Sequence, residues 1–229
     1  MKNDILKPTK AICFPEVNLD GVKGVLIDLD NTLYHYRPPH EKAMQAVHRF
    51  LCKVHPMPKA DFEQDFERVW NSIYEELGNV PIAHNRTLIF QRFAEEKGIE
   101  KPYEFGLKAN TIYFKKVFTW MRRLGPDKNA VLFLKECKKR NLPVCLVTDL
   151  FASIQTEKLK ALKLTNYVDF IVANDEVGFD KPNAKMFTKA LEKIGMTEKD
   201  VIMIGDHPVK DIQGAQKIGI RTHQVELLK

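Results

Sequence analysis

The sequence is poor in cysteine, and its four cysteines have no pattern. Cys13, Cys52, Cys137 and Cys145 form neither a C-x-x-C pair nor a ladder of short spacings, which excludes a disulfide-stapled mini-protein. Cys145 sits inside an apolar run, where cysteine behaves as a small hydrophobe. No apolar stretch approaches the ~18 residues of a membrane-spanning helix. The segment Met1 to Lys10 carries Lys2, Asp4, Lys7 and Lys10 and lacks an apolar core of signal-peptide length. The expectation is a reduced, cytoplasmic protein without a membrane partner. Both G-x-x-x-x-G-K-[ST] and G-x-G-x-x-G are absent, so a nucleoside-triphosphate kinase or a dinucleotide enzyme has no support. With 11 Gly and 12 Pro among 229 residues and neither repeats nor low-complexity tracts, collagen-like and disordered chains are excluded as well.

Charge is present in both signs. Lys and Arg number 36 against 30 Asp and Glu, a formal +6. That excess invites a nucleic-acid reading, yet it is spread evenly: residues 36–122 hold 14 basic and 11 acidic side chains, the remainder 22 and 19. No basic domain stands apart, and nucleic acid is not expected as a partner.

Two textures alternate along the chain. Short apolar runs end in Asp, Thr or Gly: Gly24 to Asp28, Pro143 to Thr148, Val168 to Ala173, Val201 to Gly205, and a weaker one from Ile220 to Val225. Such runs, rich in β-branched residues, read as strands buried on both faces. Helical patterns separate the later ones, for example Ile154, Leu159, Leu162 and Met186, Ala190, Leu191, Ile194. Alternating strands and helices imply a parallel sheet covered on both sides.

The second texture is purely helical and lies between the first and second strands. Ala43, Met44, Val47, Phe50, Leu51 and Val54 recur at helical spacing, as do Phe62, Phe66, Val69, Trp70, Ile73, Tyr74 and Leu77. Asp61 with Gln64 three residues on reads as a capping box for the second of these. A third helix runs near Thr87 to Lys97 and stops at Gly98; a fourth carries Ile112, Tyr113, Val117, Trp120 and Met121 and stops at Gly125-Pro126. Aromatic stripes of this kind read as core. Asp28 and Thr148 end two strands 120 positions apart, whereas a βαβ crossover needs only ~30 residues. The surplus predicts an all-α insert over residues 36–122 within a discontinuous α/β core of residues 1–35 and 123–229.

The chemistry gathers at the strand ends. Asp28-Leu29-Asp30-Asn31-Thr32-Leu33 places two carboxylates where an open α/β sheet binds its ligands. Two acids there repel each other unless a cation or proton compensates, which fits a hard-cation site such as Mg²⁺. Gly205-Asp206-His207-Pro208-Val209-Lys210-Asp211 repeats the logic after the fourth strand. Thr148 offers a hydroxyl suited to a phosphate oxygen, and Lys181, in Gly178-Phe179-Asp180-Lys181-Pro182, a compact positive charge. Acids, a cation site, a threonine and a lysine at one sheet edge suggest phosphoryl transfer.

In this order, Asp-x-Asp-x-Thr, then Thr, Lys and Gly-Asp-x-x-x-x-Asp, the motifs resemble the haloacid dehalogenase superfamily of aspartate-nucleophile phosphohydrolases, from about Gly24 to Val225. The helical insert resembles the superfamily's α-helical cap between motifs one and two, the arrangement of subfamily I. The resemblance implies a Rossmann-like parallel sheet of strand order 3-2-1-4-5. It implies Asp28 as nucleophile, giving an aspartyl-phosphate, and Asp30 as acid and then base, with a pKa raised by neighbouring carboxylates. Thr148 and Lys181 would hold phosphoryl oxygens, Lys181 also restraining Asp28, and Asp149 would add an acid near the substrate. Mg²⁺ would sit on the Asp28 carboxylate, the Asp30 carbonyl and the Asp206 carboxylate, with Asp211 acting through water or by orienting Lys181. Asn31 stands where Gly is commoner, and Ala184 where a second Pro often follows.

Further substrate contacts are weaker. His35 and Tyr36 lie just past the first motif, with Arg37 beside them. Arg86 could meet a second anionic group or be a solvated helix-start residue, and His207 reads as a helix start before Pro208. The leading expectation is a Mg²⁺-dependent phosphatase acting on a small phosphate monoester, a nucleoside monophosphate or sugar phosphate, as a monomer or homodimer. A phosphomutase of the same superfamily is the alternative, and a phospho-accepting or binding protein without turnover the reading from another class. Asp30 weighs against a dehalogenase, which needs no acid for the halide.

Overall fold

The computed structural model describes residues 12–13 and 17–227; the reading of Met1 to Lys10 lies outside them. Strands β2 (Gly24–Ile27), β3 (Val144–Thr148), β4 (Phe170–Ala173), β5 (Val201–Gly205) and β6 (Arg221–Gln224) form one parallel sheet in the order β4-β3-β2-β5-β6. Counted from β2 this is 3-2-1-4-5. A separate antiparallel pair joins β1 (Ile12–Cys13) to β7 (Glu226–Leu227). β2 is central, with Ile27 opposite Leu146 on one side and Ile204 on the other.

Alternation along the strands divides the core into two apolar clusters. Val25, Ile27, Leu146 and Ile204 point into one, Leu26, Cys145, Val147 and Met203 into the other. Double-sided burial holds for β2, β3 and β5. It fails at the edges, where Phe170 is exposed and β6 is nowhere fully buried. An edge strand lacks a neighbour on one side, and its weaker apolar pattern reflects that.

Helices α1 (Arg37–Leu51), α2 (Lys59–Leu77), α3 (Arg86–Glu96) and α4 (Pro102–Leu124) lie between β2 and β3 in sequence. Their stripes, Val47, Phe62, Phe66, Phe93 and Tyr113 among them, are buried in the same cluster as one face of the sheet. Two local expectations fail. α2 begins at Lys59 after Pro58, so Asp61 stands in the first turn and makes no capping box. Val54 lies past the end of α1 and is exposed. The stops at Gly98 and Gly125 hold, with φ of 64° and 73°, conformations that favour glycine. The chain leaves the sheet and returns beside itself: the Asp127 N–H donates to the Leu33 carbonyl at 2.9 Å.

The remaining helices are α5 (Lys128–Lys139), α6 (Ala152–Leu162), the single turn α7 (Asn174–Val177) and α8 (Ala184–Ile194). A π-helical turn, Pro208–Gln213, leads into the short α9 (Gly214–Gln216). Cys137 and Cys145 are buried free thiols, each pushed up to about 12 by burial. No described helix is long and apolar enough to cross a membrane.

Candidate active site

β2 ends at Ile27, and the next residue, Asp28, is buried at the carboxyl edge of the sheet, its N–H donating to the Ile204 carbonyl at 2.9 Å. The chain then turns sharply. Asn31 has φ 63°, and its Oδ1 accepts the Tyr36 N–H at 3.2 Å. Asn tolerates this left-handed conformation better than other non-glycine residues and here braces the turn as well.

Lys181 organises the edge. Its Nζ donates to Asp28 Oδ1 at 2.6 Å, Asp211 Oδ1 at 2.7 Å and the Val147 carbonyl at 2.9 Å. One ammonium thus ties the ends of β2 and β3 to the turn after β5 and commits its three donors. Burial disfavours the charge, but Asp211 and Asp28 outweigh it and hold the Lys181 pKa well above its ordinary value. Asp211 accepts the His207 N–H on Oδ2 at 3.0 Å, and Gly205 makes room for it: a Cβ there would lie 2.3 Å from that oxygen. His207 caps the following turn, accepting the Val209 and Lys210 N–H groups on Nδ1.

Carboxylate oxygens of Asp28, Asp206 and Asp211 lie within 4.8 Å of one another. Thr32 Oγ1 stands 3.5 Å from both Asp28 Oδ2 and Asp206 Oδ1. Burial raises the Asp28 pKa well above the usual carboxylate range despite Lys181, and Asp211, Asp206 and Asp30 push it the same way. Burial and Asp211 bring Asp206 to about 6. Negative charge is therefore in excess, and an all-oxygen donor set fits a hard divalent cation.

Asp30 departs from expectation. Its carboxylate turns to Lys158, whose Nζ reaches both oxygens at 2.7 and 2.6 Å, and it also accepts from the Tyr34 hydroxyl. Burial pushes its pKa up, but Lys158 and Tyr34 more than reverse this, and the net shift is downward. The expected rise from neighbouring carboxylates is not found, because a lysine on α6 supplies the dominant charge. That side chain is engaged outside the acid cluster, by Lys158 and Tyr34. Sequence reading missed Lys158. The signal was there: Gln155, Lys158, Leu159 and Leu162 are all buried on one face of α6, so two polar residues occupy an inward stripe.

Thr148 is buried at the end of β3, its Oγ1 accepting from Gln155 Nε2. Asp149 braces the site: Oδ1 accepts the Lys181 N–H at 2.7 Å and Oδ2 the Lys210 ammonium at 2.9 Å. Both oxygens are engaged, which does not fit the expected substrate contact. His35 lines a different cavity, with Leu124, Pro126 and Asn129. Tyr36 and Arg86 come together with Tyr113 beside Lys158. Arg86 is buried, so the solvated reading fails. The insert also touches the edge through His84, whose Nε2 meets the buried Asp180 Oδ2 at 2.8 Å, and through Asn79 Nδ2, 3.4 Å from the Lys181 carbonyl.

A 3-2-1-4-5 parallel sheet that gathers its buried acids around one lysine, with a helical excursion after the first core strand, defines a Rossmann-like α/β hydrolase class. The comparisons make this specific. The family model for haloacid dehalogenase-like hydrolases matches residues 22–219, and the chain belongs to that family. It is similar to a ribulose-1,5-bisphosphate 5-phosphatase of Halopiger xanaduensis, 30% identical over 201 residues that cover 87% of this chain and 82% of the relative. It is also similar to a glyceraldehyde 3-phosphate phosphatase of Methanopyrus kandleri, 26% identical over 89% of this chain and 84% of that one. Among solved structures, a 2-haloacid dehalogenase from Pseudomonas syringae pv. Tomato shares the fold, with TM-score 0.69 at 21% identity, covering 88% of this chain and 85% of that one.

Proposed function

We propose that this chain is a Mg²⁺-dependent phosphatase of small phosphate monoesters that works through an aspartyl-phosphate. The observation that carries the reading is the buried cluster in which Lys181 bridges Asp28 and Asp211 within reach of Asp206. The relatives' names support it and favour a phosphorylated sugar over a nucleoside monophosphate. In this reading residues 36–122, which hold α1 to α3 and α4 up to Arg122, form a cap over a core made of 1–35 and 123–229.

Asp28 and Asp206 would hold the cation through carboxylate oxygens and Asp30 through its carbonyl, with Asp211 contributing through water. When bound, Mg²⁺ neutralises phosphoryl charge and the repulsion between the acids. Lys181 fixes Asp28 Oδ1, which leaves Oδ2 to attack phosphorus as the bond to the leaving oxygen breaks. Thr148 accepts from Gln155, so its hydroxyl hydrogen is available to a phosphoryl oxygen. Lys181, its donors committed, positions the nucleophile. The proton belongs to the Asp30–Lys158 pair: the pair gives it to the leaving oxygen and recovers it from the water that attacks the aspartyl-phosphate.

The test is hydrolysis of p-nitrophenyl phosphate with Mg²⁺ present. Release of p-nitrophenol is expected to vanish with chelator and in Asp28→Asn; activity that survives Asp28→Asn overturns the mechanism.

A further inference from the structure

Arg86 opens α3 inside the helical insert and is only 9% exposed. Its Nη2 donates to the Tyr36 hydroxyl at 3.3 Å. Among the described residues, Nε and Nη1 have no hydrogen-bond partner and no carboxylate pairs with the guanidinium. The rings it touches are neutral. The guanidinium lies 3.8 Å from the Trp70 ring centroid and 5.5 Å from that of Tyr113. Burial holds the Tyr113 phenol protonated. His40, which touches both tyrosine hydroxyls, is brought down to about 4 by burial and by Arg86.

Stacking on an aromatic face offsets only part of the cost of burying an unpaired ion. Among the described residues Arg86 therefore has no ion-pair partner to offset its burial. A second buried cation adjoins it. Lys158 lines the same cavity, about 20 Å³, with Tyr36, Tyr113, Phe114 and Leu150, space for one water or one oxygen of an anion. The cavity abuts the acid site, since Lys158 holds Asp30 and Leu150 lies two residues past Thr148. In the proposed mechanism Asp30 serves the leaving oxygen, which puts the cavity on the leaving-group side.

We propose that Arg86 binds a second anionic group of the substrate, so that this enzyme prefers phosphate monoesters bearing a carboxylate or a second phosphate on the leaving group. The inference rests on the phosphatase reading above and narrows its substrate class.

Two matched pairs test it, each scored as kcat/KM for phosphate release. The pair 3-phosphoglycerate and glycerol 3-phosphate differs by a carboxylate; fructose 1,6-bisphosphate and fructose 6-phosphate differ by a phosphate. A charge-assisted hydrogen bond predicts a preference of about tenfold or more for the doubly anionic member of at least one pair, and the responding pair identifies the group. In Arg86→Met the ratio falls to within about threefold of unity, and in Arg86→Lys, which keeps the charge, part of it returns. A merely structural arginine would leave the ratio unmoved. A preference retained in Arg86→Met overturns the assignment. Should that variant fail to fold, the wild-type ratio and Arg86→Lys decide. Calorimetric titration of the same esters into Asp28→Asn needs no turnover. Preferential binding without wild-type hydrolysis of any ester overturns the phosphatase reading and supports this one; hydrolysis of all four without preference overturns this one alone.

Discussion

Asp30 and Lys158 are 128 positions apart, yet they make the closest two-pronged charge contact at the site, at 2.6 and 2.7 Å. If the pair manages the leaving-group proton, the cost of removing Lys158 depends on the leaving group. Lys158→Met is expected to lower kcat about 10²-fold for an alkyl phosphate and far less for p-nitrophenyl phosphate, whose phenolate leaves without a proton. Steady-state kinetics on the two esters checks this, and equal losses would assign Lys158 a structural role. The same pair marks how far the sequence could be read. Asp28, Thr148 and Asp206 stand at strand ends, with Lys181 and Asp211 in the segments that follow β4 and β5, so a parallel sheet brings them to one edge. Lys158 lies mid-helix, where only its tertiary contact with Asp30 gives it meaning, and the expected pKa of Asp30 was wrong for want of it. Asp149 was legible in place but not in role, because its partners Lys181 and Lys210 come from two other segments.

At the scale of elements, α1 and α4 meet at His40, whose Nδ1 lies 2.7 Å from the Tyr113 hydroxyl. Burial lowers its pKa from 6.5 to about 4. The unfolded chain therefore binds the extra proton first, so the contribution is complete above pH 6.5 and is lost as pH falls toward 4. The shift corresponds to about 3 kcal/mol. The melting temperature of the wild type is expected to fall more than that of His40→Gln between pH 7 and pH 4.5. Taking the difference removes Asp28 and Asp206, whose raised pKa values act with the opposite sign. Helix stops at Gly98 and Gly125 were readable because positive φ selects glycine. The start of α2 was not: Asp61-Phe62-Glu63-Gln64 satisfies a capping rule locally, while Pro58 begins the helix sooner. β6 gave a weak signal because its faces are only partly covered, and none of Arg221, Thr222, His223 and Gln224 is buried.

For the whole molecule, the strand order 3-2-1-4-5 followed from the family resemblance, and the sheet shows it. Periodicity alone implied only parallel strands and an insert. The fold also concentrates three acids in one small volume, a strain on the native state alone, since the unfolded chain keeps them apart. A cation that binds the folded form stabilises it by about 2.7 kcal/mol at a hundredfold excess over Kd, or about 5 °C or more for a chain of this size. Scanning calorimetry is expected to show that rise on adding Mg²⁺, and to lose most of it in Asp206→Asn.

The hydrogen bond from the Asp127 N–H to the Leu33 carbonyl carries a mechanical consequence. It fastens the outgoing and returning chains at the single place where the helical insert leaves the sheet. Translation of the insert would break this fastening; rotation about it would not. A swing about this pivot would leave Leu33 and Asp127 in place. Such a swing would part His84 from Asp180 and Asn79 from Lys181, releasing the segment whose lysine holds Asp28.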